Sequence, residues 1–187
     1  MTAKKNLSTD TPVKRKKKTS DRRNGLTMGK MVNDLEELKG LIEKEKAAGK
    51  TVVFGNGCFD IIHVGHVRYL RGAKELGDVL VVAVNDDASV TGLGKRKEVV
   101  TPAAERAEII SAIDSVDYVI LFADPTVENL LATLKPHIHA KGTDYTEENV
   151  PERDIVMSYG GKVAIVGDPK DHSTRDIIKT IKNLREK

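Results

Sequence analysis

The chain has 187 residues, 39% of them hydrophobic, which suits one domain with a complete core and is too little for two. It has no apolar run long enough to span a bilayer and no apolar segment near its start of the kind a secretory signal needs; its single cysteine, Cys58, excludes an internal disulfide, so a cytoplasmic setting without a membrane partner is expected. The net charge of +3 is uneven: nine Lys and Arg against Asp10 and Asp21 put +7 on residues 1–25 and leave −4 on the remainder.

Residues 1–28 contain almost no large apolar side chain, and the expectation is a disordered basic tail. Such charge suits nucleic acid or an anionic membrane surface. No aromatics are interleaved with it, as they are in single-strand binders, so a solvated extension without a nucleic-acid partner is the reading adopted. A folded domain is expected over 29–187. Met31, Leu35, Leu38 and Ile42 recur at near-helical spacing, predicting a helix over 30–48 with Gly49 as its stop. "TVVFG" reads as a buried strand, and Val64, Val67, Leu70 and Ala73 predict a helix closed at Gly77. "DVLVVAVN" is a second strand. "PAAERAEIISAI" is a helix with Pro102 at its start and Thr101 as N-cap.

"DYVILF", "HIHA" and "KVAIVG" supply three more strands, and "PTVENLLATLK", "VPERDIVMSYGG" and "STRDIIKTIKNLREK" the helices among and after them. Strands that are continuous Val/Ile runs, alternating with helices, imply an α/β fold: a single doubly wound, parallel, five-stranded, Rossmann-like sheet. Ligands of such sheets bind at the carboxyl ends of the strands.

The first strand leads into "GNGCFDIIHVGH". A dinucleotide loop would place a third glycine where Asp60 stands, and the helix here begins too late for one. Cys58, His63 and His66 are metal-capable side chains, but structural zinc takes four ligands and no matching second pair exists, so no metal site is expected. His63 and His66 are three apart at a helix start and share one face. Gly65 between them leaves room for a phosphate, and the backbone donors and positive end of the helix add to the two imidazoles. That set suits charge building on a phosphorus atom in transit.

"GCFDIIHVGHVRYLRGAKELGD" resembles the HxGH signature of the α/β-phosphodiesterase-type nucleotidyltransferases. "VVAVNDDASV", "TPAAERAEIISAIDSVDYVILF", "KGTDYTEENVP", "YGGKVAIV" and "STRDII" follow in order and narrow the resemblance to the ADP-heptose synthases, over about 51–181. The resemblance implies adenylyl transfer from ATP, with Mg2+, to D-glycero-β-D-manno-heptose 1-phosphate for lipopolysaccharide precursors. A separate heptose kinase would supply the acceptor, and a homodimer is expected. Glycerol-3-phosphate cytidylyltransferase shares the HxGH core and is the alternative within the class. A non-catalytic nucleotide-binding module, recruited by the tail, is the alternative outside it.

The resemblance also assigns residues. His63 and His66 would stabilise the α-phosphate, and Lys95 and Arg106 would hold the triphosphate. The other reading of Arg106 is an exposed helix residue paired with Asp86, Asp87 or Glu105. Gly57, Cys58, Phe59 and Gly65 would line the phosphate and nucleotide site; Asp60 belongs to the motif or is a loop-capping carboxylate. Asn85 faces the site or ends its strand as a turn residue. Lys141, Gly142, Asp144 and Tyr145 form a ligand loop after the fourth strand, and Ser173 and Thr174 combine N-capping with a phosphate site. The segment before Pro102 departs from the family pattern: Glu98 stands near an expected arginine, with Arg96 or Lys97 as substitutes. His137 and His139 share one strand face, and a structural role is expected for both.

Overall fold

A computed structural model of the protein describes residues 28–92, 99–169 and 173–185. The expected tail and the expected phosphate ligand Lys95, with Arg96 and Lys97, lie outside the described residues. Six parallel strands form one sheet: β1 (Lys30–Val32), β2 (Val52–Gly57), β3 (Val79–Asn85), β4 (Tyr118–Phe122), β5 (Ile138–Gly142) and β6 (Lys162–Val166), in the order β1-β4-β3-β2-β5-β6. Helices α1 (Leu35–Ala47), α2 (Val64–Glu75), α3 (Asp87–Gly92), α4 (Ala103–Ser111), α5 (Glu128–Leu134), α6 (Arg153–Ser158) and α7 (Thr174–Arg185) connect and follow them.

The centre of the sheet follows from composition. All seven residues of β3 are buried, as are the first four of β2, because both strands are apolar on both faces. Side chains alternate across the sheet. Phe54, Val81 and Ala83 therefore join Leu38 and Ile42 of α1, Leu131 and Leu134 of α5 and Val156 of α6 on one face. Val53, Leu80, Val82 and Val84 join Leu70 and Ala73 of α2 and Ala107 and Ile110 of α4 on the other. Each fully buried Leu or Ile in these layers contributes about 1.5–3 kcal/mol.

The sixth strand corrects the five-strand expectation, and it does so inside the predicted helix 30–48. Lys30, Met31 and Val32 pair with Tyr118, Val119 and Ile120 at the sheet edge. The helix starts only at Leu35, where the Asp34 carboxylate accepts the Glu37 N–H at 2.7 Å. Gly49 does end it, in left-handed backbone (φ 75°). α3 is an element that periodicity did not reveal, and Thr101 is not the cap of α4: Pro102 holds that place without a side-chain bond.

The chain runs from β2 outward to β3 and β4, then returns to the other flank of β2 with β5 and β6. The carboxyl end of β2 is thus a topological switch point, where neighbouring connections leave in opposite directions and open a crevice.

Candidate active site

The crevice is floored by the loop between β2 and α2, residues 58–63. Phe59 (φ 51°) and Ile61 (φ 57°) both adopt left-handed backbone, which is strained for side chains of this size and is held only where surroundings enforce it. Asp60 between them is buried. Its carboxylate accepts the N–H groups of Val100 (3.2 Å) and Thr101 (3.0 Å), and its carbonyl accepts the Thr174 hydroxyl at 3.1 Å. Of the two roles open to Asp60, the observed one is the loop clamp.

That loop delivers the two histidines to the start of α2. His63 is the N-cap, in extended backbone. Its Nδ1 accepts the Gly65 N–H at 3.2 Å, while Nδ1 of His66 accepts the His63 N–H at 3.3 Å. The cap is reciprocal, an imidazole version of the capping box. The ring centroids lie 3.9 Å apart, and the Phe59 ring meets His66 edge-on at 5.5 Å. An imidazole that accepts through Nδ1 carries its proton on Nε2 when neutral. Both rings therefore convert backbone donors of the helix start into Nε2–H donors, polarised by the positive end of a twelve-residue helix.

Glycines let neighbours approach. A Cβ on Gly55 would stand 2.5 Å from the Tyr69 hydroxyl, which crosses the strand to donate to the Ala140 carbonyl at 2.9 Å. A Cβ on Gly57 would meet the Phe59 ring at 3.2 Å. Gly142 differs: a Cβ there would meet nothing within 4 Å, so close packing does not require a glycine at that position.

Arg106 is fully buried. Its Nε donates to the Thr101 carbonyl at 2.9 Å, one terminal nitrogen to the Cys58 carbonyl and the other to the Asp87 carboxylate at 2.7 Å. The pairing with Asp87 is one of those weighed from sequence, but the exposure expected with it is replaced by complete burial. With a partner on each guanidinium nitrogen, Arg106 braces the end of β2 against α3 and Thr101. Cys58 Sγ donates to Asn85 Oδ1 at 3.8 Å, and the buried Asn85 amide donates to the Ser89 hydroxyl at 3.2 Å. Asn85 thus lies beside the loop at the end of β3.

On the other flank, Lys141 near the end of β5 is buried. Its Nζ donates to Asn56 Oδ1 at 3.0 Å and lies 3.2 and 3.1 Å from the two oxygens of Glu152, with the Tyr145 ring centroid 5.3 Å away. Burial would raise the Glu152 carboxyl, but His139 and Lys141 outweigh it and lower it to about 2. Burial pulls the His139 ring down, against the raising effect of the nearby Glu152 carboxylate. Asp144 is exposed in the turn after β5, and the Tyr145 N–H closes that turn on the Gly142 carbonyl at 3.1 Å. Ser173 caps α7, its hydroxyl accepting the Asp176 N–H at 3.2 Å.

His63, His66, Cys58, Phe59, Asp60, Asn85, Arg106 and Thr174 are therefore joined through one network, with Lys141 and Tyr145 on the β5 flank. Sequence reasoning missed Asn56, Tyr69 and Glu152. Asn56 carried a signal, as a polar residue interrupting a buried strand. Tyr69 and Glu152 carried none, because their partners lie 71 and 11 residues away. His137 and His139 make structural contacts: His137 Nδ1 accepts the Val52 N–H at 2.9 Å, and His139 is buried against the Phe54 carbonyl at 3.3 Å.

Among the described residues no group of three His, Cys, Asp or Glu side chains is placed to hold a metal ion, and no helix is long and apolar enough to cross a membrane. Residues 54–183 match the family model described as cytidylyltransferase-like. The bifunctional protein HldE of Geobacter metallireducens is 50% identical over 150 residues, which make up 80% of this chain and 31% of that protein. The protein of the same name from Pelobacter propionicus is 49% identical over the same shares. The chain thus spans about a third of the length of the curated relatives it matches. Among solved structures, the lipopolysaccharide core biosynthesis protein from Thermoplasma volcanium is similar with a TM-score of 0.57 and 29% identity, over 65% of this chain and all of that one. The chain belongs to the cytidylyltransferase-like family, and it is a nucleotidyltransferase.

Proposed function

We propose that the chain transfers the adenylyl group of ATP to D-glycero-β-D-manno-heptose 1-phosphate, giving ADP-heptose and pyrophosphate. The observation that carries nucleotidyl transfer is the reciprocal histidine cap, in which both Nδ1 atoms accept backbone N–H groups at the start of α2, so that each neutral ring carries its proton on Nε2. A phosphate oxygen of the sugar attacks the α-phosphorus. As that P–O bond forms, the bond from the α-phosphorus to the bridging oxygen breaks, and its electron pair leaves with pyrophosphate. Negative charge shifts onto the α-phosphate oxygens and the leaving group, where fixed donors act most strongly. His63 and His66 serve the first of these. Lys95 is the expected triphosphate ligand, while Arg106 fixes the loop that carries the histidines. Magnesium would arrive on the triphosphate, where it offsets phosphate charge.

The choice of adenine and heptose is supported by the later motifs, above all "KGTDYTEENVP" and "YGGKVAIV". A role in lipopolysaccharide precursor synthesis is supported by the name of the Thermoplasma volcanium neighbour. The acceptor carries a phosphate, so a kinase reaction must precede this one. The same reading places the enzyme in the cytoplasm as a homodimer, to be checked by sedimentation.

Pyrophosphate release tests the assignment, with ATP, CTP or GTP offered against heptose 1-phosphate and glycerol 3-phosphate. The expected outcome is turnover with ATP and heptose 1-phosphate. His63→Ala and His66→Ala should each lower kcat by about 100-fold or more, while loss of the cap costs only about 1 kcal/mol of stability. Preference for CTP and glycerol 3-phosphate would overturn the substrate assignment, and near-wild-type turnover in either variant would overturn the histidine roles.

A further inference from the structure

Beyond the histidines, Lys141, Glu152 and His139 form a buried polar cluster with the half-buried Asn56, drawn from β5, the turn before α6 and the end of β2. Its three charged or titratable members are nearly inaccessible: Lys141 is 6% exposed, Glu152 8% and His139 0%. A buried ion pair is a weak source of stability, because desolvating two charges costs about as much as their attraction returns. An apolar pair would fill the same space. The pair therefore calls for a reason other than folding.

Its placement supplies one. Gly55 on β2 is in register with Ala140 on β5, so Asn56 and Lys141 are the next residues along both strands toward the crevice. Asn56 Oδ1 accepts from Lys141 Nζ at 3.0 Å, one residue before the glycine that leads into the histidine loop. Glu152 approaches the same ammonium with both carboxylate oxygens, at 3.2 and 3.1 Å.

The geometry of Glu152 is incomplete as a structural contact. Its Oε2 has no hydrogen bond of acceptable geometry, and neither has Nε2 of His139, 3.7 Å away. His139 Nδ1 faces the Phe54 carbonyl at 3.3 Å, so the ring's other nitrogen is the one turned toward the carboxylate, at a distance too long for a hydrogen bond. The Lys141 ammonium, at 3.2 and 3.1 Å, is the nearer partner to which the carboxylate is directed.

We propose that Glu152 is a positioning residue: it fixes the Lys141 ammonium at the carboxyl end of β5, where that ammonium meets a phosphate of a bound substrate. This rests on the nucleotidyl-transfer reading of the crevice, and it extends that reading to a residue outside the recognisable motifs. Removing the carboxylate charge leaves a buried lysine uncompensated, and burial then favours its neutral form. The phosphate loses its cationic partner even though Lys141 is still present.

A double-mutant cycle tests this on the full chain. Glu152→Gln keeps the shape and removes the charge, and Lys141→Met removes the ammonium. Each single change should lower kcat/KM by about tenfold or more, the worth of one charge-assisted contact. The double variant should be no worse than Lys141→Met, because Glu152 acts through Lys141. Glu152→Asp, which restores charge at a shorter reach, should recover part of the loss. Melting temperatures of all variants separate this from a folding effect. Losses that multiply in the double variant, or unchanged kinetics in a folded Glu152→Gln, would overturn the proposal. Wild-type turnover is read first. If no acceptor is turned over, the substrate reading fails by itself, and the same cycle is read on the dissociation constants of ATP and inorganic pyrophosphate. There a shared loss supports the positioning role, and the absence of any shift overturns it.

Discussion

At the scale of single residues, the spacing of His63 and His66 was enough to bring the two rings together, because residues three apart at a helix start share a face wherever the helix lies. The use of each Nδ1 was not legible. It depends on the extended backbone of His63 (φ −140°, ψ 171°), which turns the ring back onto its own helix. Arg106 makes the opposite case. Its charge was plain, but its burial was not, since a single arginine in an amphipathic helix reads the same whether it faces water or a carbonyl. Gly55 is decided by contact alone. Gly55→Ala should cost about 1–3 kcal/mol, as overpacking does in a rigid interior, because its Cβ would strike the Tyr69 hydroxyl at 2.5 Å. Adding Tyr69→Phe should restore part of that loss in thermal unfolding. Recovery of none would place the strain elsewhere.

Among the elements, the Val- and Ile-rich runs were read as buried parallel strands, and β2 through β6 lie where those runs are. β1 escaped because three residues carry no period. What makes Lys30–Val32 a strand is the unpaired edge of β4 that it meets. The same three residues misled the helix boundary, since Met31 sits at a spacing that suits α1. Asp34 sets the true start by accepting the Glu37 N–H. Asp34→Ala should therefore destabilise the domain by about 1 kcal/mol, the usual worth of an N-cap, with no change in kinetic constants. Chemical denaturation checks the first part, and a change below about 0.5 kcal/mol, the range of an ordinary surface substitution, would contradict it.

The whole molecule adds what no segment contains: the switch point at β2, and the pairs that meet across it. Glu152 also ties the site to acid stability. Its carboxyl is lowered from 4.5 to about 2 in the fold, so the unfolded chain binds more protons between those values. The stability it contributes is present above about pH 4.5 and is lost as pH falls through about 2. Unfolding measured from pH 6 to 2 should show this decline, and Glu152→Gln should flatten that part of the curve. An unchanged slope would remove Glu152 from the acid response. By itself the sequence determined the fold class and the helix start at which His63 and His66 stand, because periodicity, helix starts and motif spacing are local and survive without knowledge of partners. Only the tertiary structure decided which charges are buried, that Asp60 and Arg106 brace the loop, and that Glu152 meets Lys141. Those outcomes depend on which distant groups exclude water from one another, and that is settled only when the strands lie side by side.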